Sequence, residues 1–415
     1  MGRVTSLLRN PRYLAFWLGQ VTSVIGSGVS LIALPALILP ERGPAAFGLV
    51  IAAEAASSVL LLLFGGVVAD RYSRSAVMAI SDVLCVVGIG GFLLFAERGS
   101  LALVMAAACL IGVGSALYQP AHRAAMPQVV SEDQLQQANA LDSAAKRIGY
   151  AAGALLGGLL IAGFGARGAF LFDIVTYAVS LATLLWLRLP SVRTDAVSPG
   201  VRAVLVEARE GMREVRRRPW ALIIMIQGTV QVFFLFAPNS ALVPIVSLDR
   251  WGPEAYGWLS SSGSIGMMVG SAVAAKIKTR KPGLWAMHAL VPCTILPLCL
   301  AVPVSLPVWC AVQFLAWSGI GVFFVLWFTA LQTEFPTEVQ GRVFSLESIG
   351  NFALQPIAIA VAPLLASSIG LTPFAIIAAV VMLVSTYGVF LVRGTVELRT
   401  PQPAAASAPS TIVKV

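Results

Sequence analysis

Apolar runs recur along this chain of 415 residues, broken by short polar turns. About 20 apolar residues in a helix suffice to cross a bilayer. By that measure the pattern predicts twelve membrane-spanning helices. Six lie near 13–38, 46–69, 75–97, 101–125, 139–164 and 167–188, and six near 220–246, 254–277, 284–304, 306–332, 343–369 and 372–393. Turns such as Glu97-Arg98-Gly99-Ser100 are too short to hold further structure. One longer polar stretch, 189–219, separates an N-terminal six-helix half (1–188) from a C-terminal six-helix half (220–393). The remainder, 394–415, is rich in Pro, Ala and Ser and reads as a disordered tail. The predicted class is an all-α polytopic membrane protein.

Composition agrees with the pattern. The chain is 58% hydrophobic and 11% charged, with mean hydropathy +0.86, against about 25% charged residues in a soluble globule. A net charge of +9 raises the question of nucleic acid, but the basic residues fall in short loops and their distribution is topological. Arg3, Arg9, Arg12, Arg71, Arg74, Arg123, the central loop, Lys276 to Lys281 and Arg342 share one side; Arg42, Arg98, Arg167 and Arg250 share the other. Both termini are thereby expected in the cytoplasm, with the chain in a bacterial-type inner (cell) membrane. Residues 201–218 separate apolar from charged positions at helical spacing, predicting an amphipathic helix against the inner leaflet. Cys85, Cys109, Cys293, Cys299 and Cys310 sit inside apolar runs without metal-ligand spacing. No nucleotide-binding loop, metal cluster or catalytic triad is visible, so no enzyme activity, metal or cofactor is expected.

The two halves echo each other. Ala46-Phe47-Gly48 opens the second span and Ala255-Tyr256-Gly257 the eighth; Met126-Pro127-Gln128 follows the fourth and Phe335-Pro336-Thr337 the tenth. Such internal repetition suggests a pseudo-symmetric transporter. Gly65-Gly66-Val67-Val68-Ala69-Asp70-Arg71-Tyr72-Ser73-Arg74 resembles the loop 2–3 signature of the major facilitator superfamily, G-x-L-A-D-R-x-G-R-[KR]. Val68 replaces its leucine and Ser73 its second glycine. Tyr118 to Pro127, Gln137 to Leu141, Gly341 to Ser345 and Glu210 to Val215 look like the drug-efflux branch that includes the macrolide and enterobactin exporters. Gly149, Gly153, Gly157 and Gly158 are similar to the antiporter signature of the fifth span, with Ala154 where proline is usual. Small residues at that spacing let helices pack closely.

Charges inside a membrane need a reason, since each costs about 2.5–3.5 kcal/mol at the bilayer centre on insertion scales. The resemblance implies a gate at Gly65, Gly66, Asp70, Arg71 and Arg74, with Asp70 docking on the start of the eleventh span. Arg71 and Arg74 would then pair with Glu347 or Asp82. Asp142 and Lys146 stand four apart and predict an ion pair. Glu54, in the outer half of the second span, and Asp173, early in the sixth, are the candidates for proton exchange, with His288 as a third. His122 carries less weight. Gln20, Ser23, Gln231, Phe234, Asn239, Gln313, Trp317 and Gln355 are candidates to line a substrate cavity. In the first span Gly26-Ser27-Gly28 stands where some relatives carry an acid.

These readings lead to one expectation: a monomeric, proton-coupled exporter of small amphipathic molecules. Its expected partners are the substrate, protons and the lipid bilayer, and not nucleic acid. A dedicated exporter of one siderophore-like metabolite, or a non-transporting membrane sensor or scaffold of the same fold, is the alternative.

Overall fold

Helix accounts for every regular element in the computed structural model among the described residues. Those residues are 7, 9–71, 73–131, 134–187, 189, 201–277, 279–352 and 354–399, with side chains described outside 62–71, 136, 201–208, 337–338, 345, 348–349 and 351–352. In chain order the N-terminal half holds α1 (Pro11–Arg71), α2 (Arg74–Phe95), α3 (Leu101–Val129) and α4 (Leu135–Leu187). The connecting helix is α5 (Val201–Arg216). The C-terminal half begins with α6 (Pro219–Gln231), a π-helical turn (Val232–Phe236) and α7 (Ala237–Trp251), which form one long apolar rod. It continues with α8 (Pro253–Ala274), the short α9 (Pro282–Ala289), α10 (Val291–Ile295) and α11 (Leu298–Ala301), then α12 (Leu306–Glu334). It ends with α13 (Thr337–Phe352), α14 (Gln355–Ile369) and α15 (Leu371–Gly388).

Two of the expected turns are absorbed into bent helices. α1 is continuous except at Gly43 (φ 74°, ψ 176°), and α4 except at Gly165 (φ 70°, ψ 172°). Gly252 (φ 84°) and Gly370 (φ 91°) occupy the matching positions of the second half, between α7 and α8 and between α14 and α15. A side chain at such φ is strained, so each of these four corners selects glycine. Corners shared at equivalent places in both halves are stronger evidence of an internal repeat than the short sequence echoes. Two other expected spans are interrupted. Prolines 292 and 297 divide 284–304 into α9, α10 and α11, and 343–369 falls into α13 and α14 around Gln355-Pro356.

A pair of arginines repeats the symmetry. Arg42 donates from Nε to the Ala96 carbonyl (2.6 Å) and from Nη2 to those of Phe95 (2.8 Å) and Gly99 (2.5 Å), closing the C-terminus of α2. Arg250 donates to the carbonyls of Cys299 (3.1 Å), Leu300 (2.6 Å) and Val302 (3.1 Å), closing α11. At a helix end and in the turn just past it carbonyls run short of backbone donors, and here one guanidinium serves three of them.

Within each half α1 packs chiefly on α4 and α3, and α12 on α8. Across the halves α4 meets α8 and α1 meets α14. α5 lies against α13, with Gly211 beneath the Arg342 carbonyl, Val215 fully buried, and Glu210 Oε2 3.0 Å from Arg342 Nη1. The helix expected on the lipid surface therefore also rests on protein. Residues 394–399, read from the sequence as part of a disordered tail, fold back: Gly283 N–H donates to Val396 O (2.9 Å), and Thr395 and Leu398 are buried. The remainder of that tail, 400–415, lies outside the described residues.

Candidate functional site

The sequence spends few charges in its apolar helices, and the fold gathers two of them around one space. A cavity of about 500 Å³ lies between the halves, walled by both arms of α1, by α2, α3 and α4, and by α7, α8 and α12. Glu54, on the second arm of α1, and Asp173, on the second arm of α4, both line it. No lysine, arginine or histidine does so among the described residues.

The two carboxyls are held differently. Asp173 is 1% exposed; it accepts a hydrogen bond from Ser30 Oγ at one oxygen and from Thr176 Oγ1 at the other (3.0 Å). Gly26 makes this possible, because a Cβ there would run into Asp173 Oδ1 and Thr176 Oγ1. The first arm of α1 thus lacks its own acid at Gly26-Ser27-Gly28 and admits one from α4. Glu54 is only partly buried, and its carboxylate makes no hydrogen bond or ion pair among the described residues. Its backbone is fixed instead: Ser57 Oγ donates to Glu54 O (2.9 Å), and Ser58 Oγ donates to Gly112 O on α3 (2.9 Å).

On the opposite wall Gln313 Nε2 donates to Asn239 Oδ1 (2.9 Å). Trp317, one turn further along α12, meets Phe236 edge to face with centroids 5.7 Å apart. Phe236 belongs to the π-helical turn, an irregularity that is frequent at functional sites. It lines a second cavity of about 1030 Å³, and Met267 lines both. The second cavity is more aromatic, with Phe323 stacked on Trp327 and Phe324 on Phe328. Gln231, Glu347, Gln355, Arg123 and Arg147 also border it, so it reaches the end of the bundle where α12 passes to α13.

At the other end, the end of the four glycine corners, the halves touch backbone to backbone. A Cβ on Gly158 would lie 2.9 Å from Glu254 Cα, one on Gly257 2.7 Å from Ala154 O, and one on Gly48 3.1 Å from Pro363 Cγ. Deeper, Ser261 Oγ donates to Ala151 O (2.8 Å). Gly149, Gly153 and Gly157 face the first arm of α1 at Val24, Ile25, Gly28 and Val29. The small-residue stripe therefore divides: three glycines pack within a half and Gly158 packs between halves.

Of the residues singled out from sequence, Glu54, Asp173, Asn239, Gln313 and Trp317 meet at the central cavity, and Gln231, Glu347 and Gln355 at the second. Gln20 and Ser23 are buried without lining either, and Phe234 also lines neither. His288 stands apart: its Nδ1 is 2.8 Å from the Leu284 carbonyl of its own helix, and its ring packs on Tyr387 at an exposed position. Arg74 is buried at the start of α2, and Asp82 is buried beside Ser180. Gly65, Gly66, Asp70 and Arg71 have side-chain positions outside the described residues.

Sequence reasoning missed the hydroxyls. Ser27 and Ser30 stand three apart on α1, Tyr177 lies 3.3 Å from Ser27 Oγ, and Ser260 and Ser264 stand four apart on α8. The i, i+3 and i, i+4 spacing of serines in otherwise apolar runs was the available signal.

The sequence matches the family model "Major Facilitator Superfamily" over residues 16–352. It is 27% identical over 405 residues to the multidrug efflux pump Tap of Mycolicibacterium fortuitum, covering 94% of this chain and 98% of that protein. It is 24% identical over 383 residues to macrolide efflux protein A of Streptococcus pyogenes (86% and 90% covered). With the enterobactin exporter EntS of Shigella boydii it shares 28% over 426 residues (97% of each). Among solved structures, a POT family transporter in complex with a thioalcohol conjugated peptide matches with TM-score 0.70 at 12% identity, covering 91% of this chain and 95% of that one. A bacterial homologue of the iron transporter ferroportin in the inward-facing state gives 0.69 at 14%, covering 91% and 98%. At such identities the two structures speak for the fold alone.

Proposed function

The chain belongs to the Major Facilitator Superfamily, and from that membership we propose that it is a proton-coupled exporter of small amphipathic compounds, working as a monomer by alternating access. It is a multi-pass membrane transporter similar to efflux pumps for drugs, macrolides and enterobactin. The observation that carries the finer reading is the central cavity. It lies between the halves, holds two carboxyls and no lining base among the described residues, and is closed by backbone contact at one end. A second cavity adjoins it at the other end.

In this reading the end bearing Arg123, Arg147 and Glu347 faces the cytoplasm, with both termini. Cargo enters the aromatic second cavity, passes Phe236 and Trp317, and reaches the central cavity. Glu54 and Asp173 exchange protons there. Release requires the contacts at Gly158, Gly257 and Gly48 to part while the cytoplasmic end closes. Gly65, Gly66, Asp70, Arg71 and Arg74 form the cytoplasmic latch in that closed state, with Asp82 and Glu347 as its partners. Rocking of two repeat-related halves about a midplane site is the physical basis of the cycle.

Everted vesicles test the proposal. With an acidified lumen, adding cargo to vesicles that contain the protein is expected to release protons into the medium. Glu54→Gln is expected to insert normally and abolish that release. Gradient-driven transport unchanged in Glu54→Gln removes Glu54 from coupling, and cargo transport without proton flux sinks the antiport reading. The second reading, a dedicated exporter of one metabolite, is favoured by the likeness to EntS along 97% of each chain. A cargo panel in which a single compound moves would select it.

A further inference from the structure

Polar residues form a track where α1 meets α4. On the first arm of α1, Gln20, Ser23, Ser27 and Ser30 recur three or four apart, which puts them on one face. On the second arm of α4, Asp173, Thr176, Tyr177, Ser180 and Thr183 do the same. The two rows touch. Ser30 donates to Asp173, Ser27 Oγ lies 3.3 Å from Tyr177 Oη, and Gly26 and Gly19 leave room for Thr176 and Thr183.

The track starts at the central cavity, whose wall includes Ser27, Ser30, Asp173 and Tyr177. Away from the glycine corners it ends at Gln20, Ser180 and Asp82. A Cβ on Gly19 would lie 3.5 Å from Ser180 Cα, which sets Gln20 level with Ser180, and Asp82 of α2 lies beside Ser180. Each of the three is no more than 2% exposed. Both oxygens of Asp82, both amide atoms of Gln20 and the Ser180 hydroxyl have no hydrogen-bond partner among the described residues. Unmatched donors and acceptors gathered in one buried place suit water, which typically makes about three hydrogen bonds to such groups. Asp173 and Ser180 are about 10 Å apart along α4, a gap that hydroxyls and water can bridge. Ser30 and Thr176 cover both oxygens of Asp173, so a proton leaving that acid passes first to the track.

We propose that this track is a proton path of its own, in which water held by Gln20, Ser180 and Asp82 joins Asp173 to the cytoplasmic end through the N-terminal half. Asp82 is its second proton carrier. The inference rests on the antiport reading above. The O–H bond broken at Asp173 is replaced by one formed at Asp82, each hydroxyl and water between them taking one proton and passing one on. Asp82 then releases its proton toward the cytoplasm. Cargo in the second cavity therefore does not block the proton. The ionisable groups near Asp82 are Arg74 and Cys85 on its own helix, Tyr118 on α3, Tyr177 on α4 and Tyr13 on α1. Arg74 is already engaged, and the thiol and phenols are neutral at neutral pH. In the latch proposed above, pairing of Asp82 with Arg71 or Arg74 would occupy the oxygens it offers and shut the path while the other end is open.

Rapid-mixing infrared on the full chain in lipid nanodiscs tests this without any cargo. In acidic buffer, a switch from light to heavy water shifts the C=O band of each protonated carboxyl as it exchanges. Asp82→Asn, Asp173→Asn and Glu54→Gln assign the bands. In the parent, Asp82 is expected to exchange faster than Asp173. Gln20→Leu and Asp82→Asn should each slow exchange at Asp173 at least tenfold, and Asp82→Glu should restore most of the rate. Exchange at Glu54, which lies off the track, should stay at the parent rate in all three, showing that the bundle is intact. Ser115→Ala, on the α3 wall of the central cavity, and Thr229→Phe, which narrows the second cavity, should leave Asp173 unchanged. Asp173 exchanging before Asp82, indifference of its rate to Gln20→Leu and Asp82→Asn, or slowing by Thr229→Phe instead overturns the path and means that Asp173 meets water through the cavities. Those outcomes leave antiport standing. Failure of antiport shows separately, as cargo transport without proton flux in the everted vesicles.

Discussion

His122 and Asp142 are paired across two helices, with Nε2 of the imidazole 3.1 Å from Oδ1 of the carboxylate, and His122 only 1% exposed. The ring lies flat on Phe16 of α1, centroids 4.5 Å apart at 5°, and also stacks on Tyr118. Asp142 holds Lys146 Nζ at 3.0 Å, and Lys146 reaches back 3.3 Å to Gln119 of α3. One cluster thus binds α1, α3 and α4 together. Arg123 and Arg147, the next residue along each of α3 and α4, border the second cavity.

The cluster predicts an order of damage. Asp142→Leu strands the buried His122 and leaves Lys146 only Gln119, and removing the acceptor of a buried polar group costs about 1–3 kcal/mol. His122→Phe keeps the ring stack and leaves Asp142 its lysine, so it should cost less. Thermal unfolding of the purified protein in detergent is expected to rank Asp142→Leu below His122→Phe, and both below the parent. The reverse order would mean that Asp142 left with Lys146 alone costs more than His122 and Lys146 left without Asp142.

The paired arginines make a second prediction. Lysine keeps the charge of Arg42 or Arg250 but loses the planar fork that serves three carbonyls at once. Arg42→Lys and Arg250→Lys are each expected to cost about 1–3 kcal/mol through uncapped carbonyls. Because the two share no partner, their effects should add in the double variant. Melting temperatures of the two single variants and the double variant check this, and marked non-additivity would point to coupling between the halves that the contacts do not predict.

The uneven legibility of the site follows from how far apart its partners lie along the chain. Apolar runs located the helices, and the i, i+4 spacing gave the Asp142–Lys146 pair, because both signals are local. Glu54 and Asp173 stood out since carboxyls are rare in apolar runs. Their different settings could not be read, because Ser30 reaches Asp173 from 143 residues away. Gly26 looked like a missing acid; only the packing of α1 on α4 shows it as the space another helix's acid fills. His122 and His288 exchanged importance for the same reason. The neighbours of His122 come from other helices, whereas His288 turns to its own backbone. Gly43 and Gly165 read as loops because a single residue at positive φ bends a helix as sharply as a turn does.

Gly26 supplies a third prediction. In Gly26→Ala the new methyl would press on the Asp173 carboxyl and the Thr176 hydroxyl, so the acid must leave its hydroxyl cradle or α1 must shift from α4. Cargo-driven proton release in everted vesicles is expected to fall at least tenfold with the protein still inserted. Gly90→Ala, where nothing lies within 4 Å, is the matched control and should keep its flux. Equal flux in the two variants would show that the position of Asp173 does not matter for coupling.

Gly153 and Gly158 separate folding from closure. A methyl on Gly153 would strike the Ile25 carbonyl and lie 2.9 Å from Gly28 Cα, both backbone of the same half, so Gly153→Ala should reduce the yield of folded protein. A methyl on Gly158 would lie 2.9 Å from Glu254 Cα, across the seam between halves. Each half can then stay packed while the seam parts, so Gly158→Ala is expected to fold and to favour opening at the end of the glycine corners. Ile51→Cys, in the lining of the central cavity, reports that opening. A membrane-impermeant maleimide added from the outer face should label it several-fold faster in the Gly158→Ala background than in the parent. Gly163→Ala, with open space around it, should leave the rate unchanged. Equal rates with and without Gly158→Ala would mean that the seam at Gly158 does not set which end is closed, and the closing role would pass to Gly48 against Pro363 and Gly257 against Ala154.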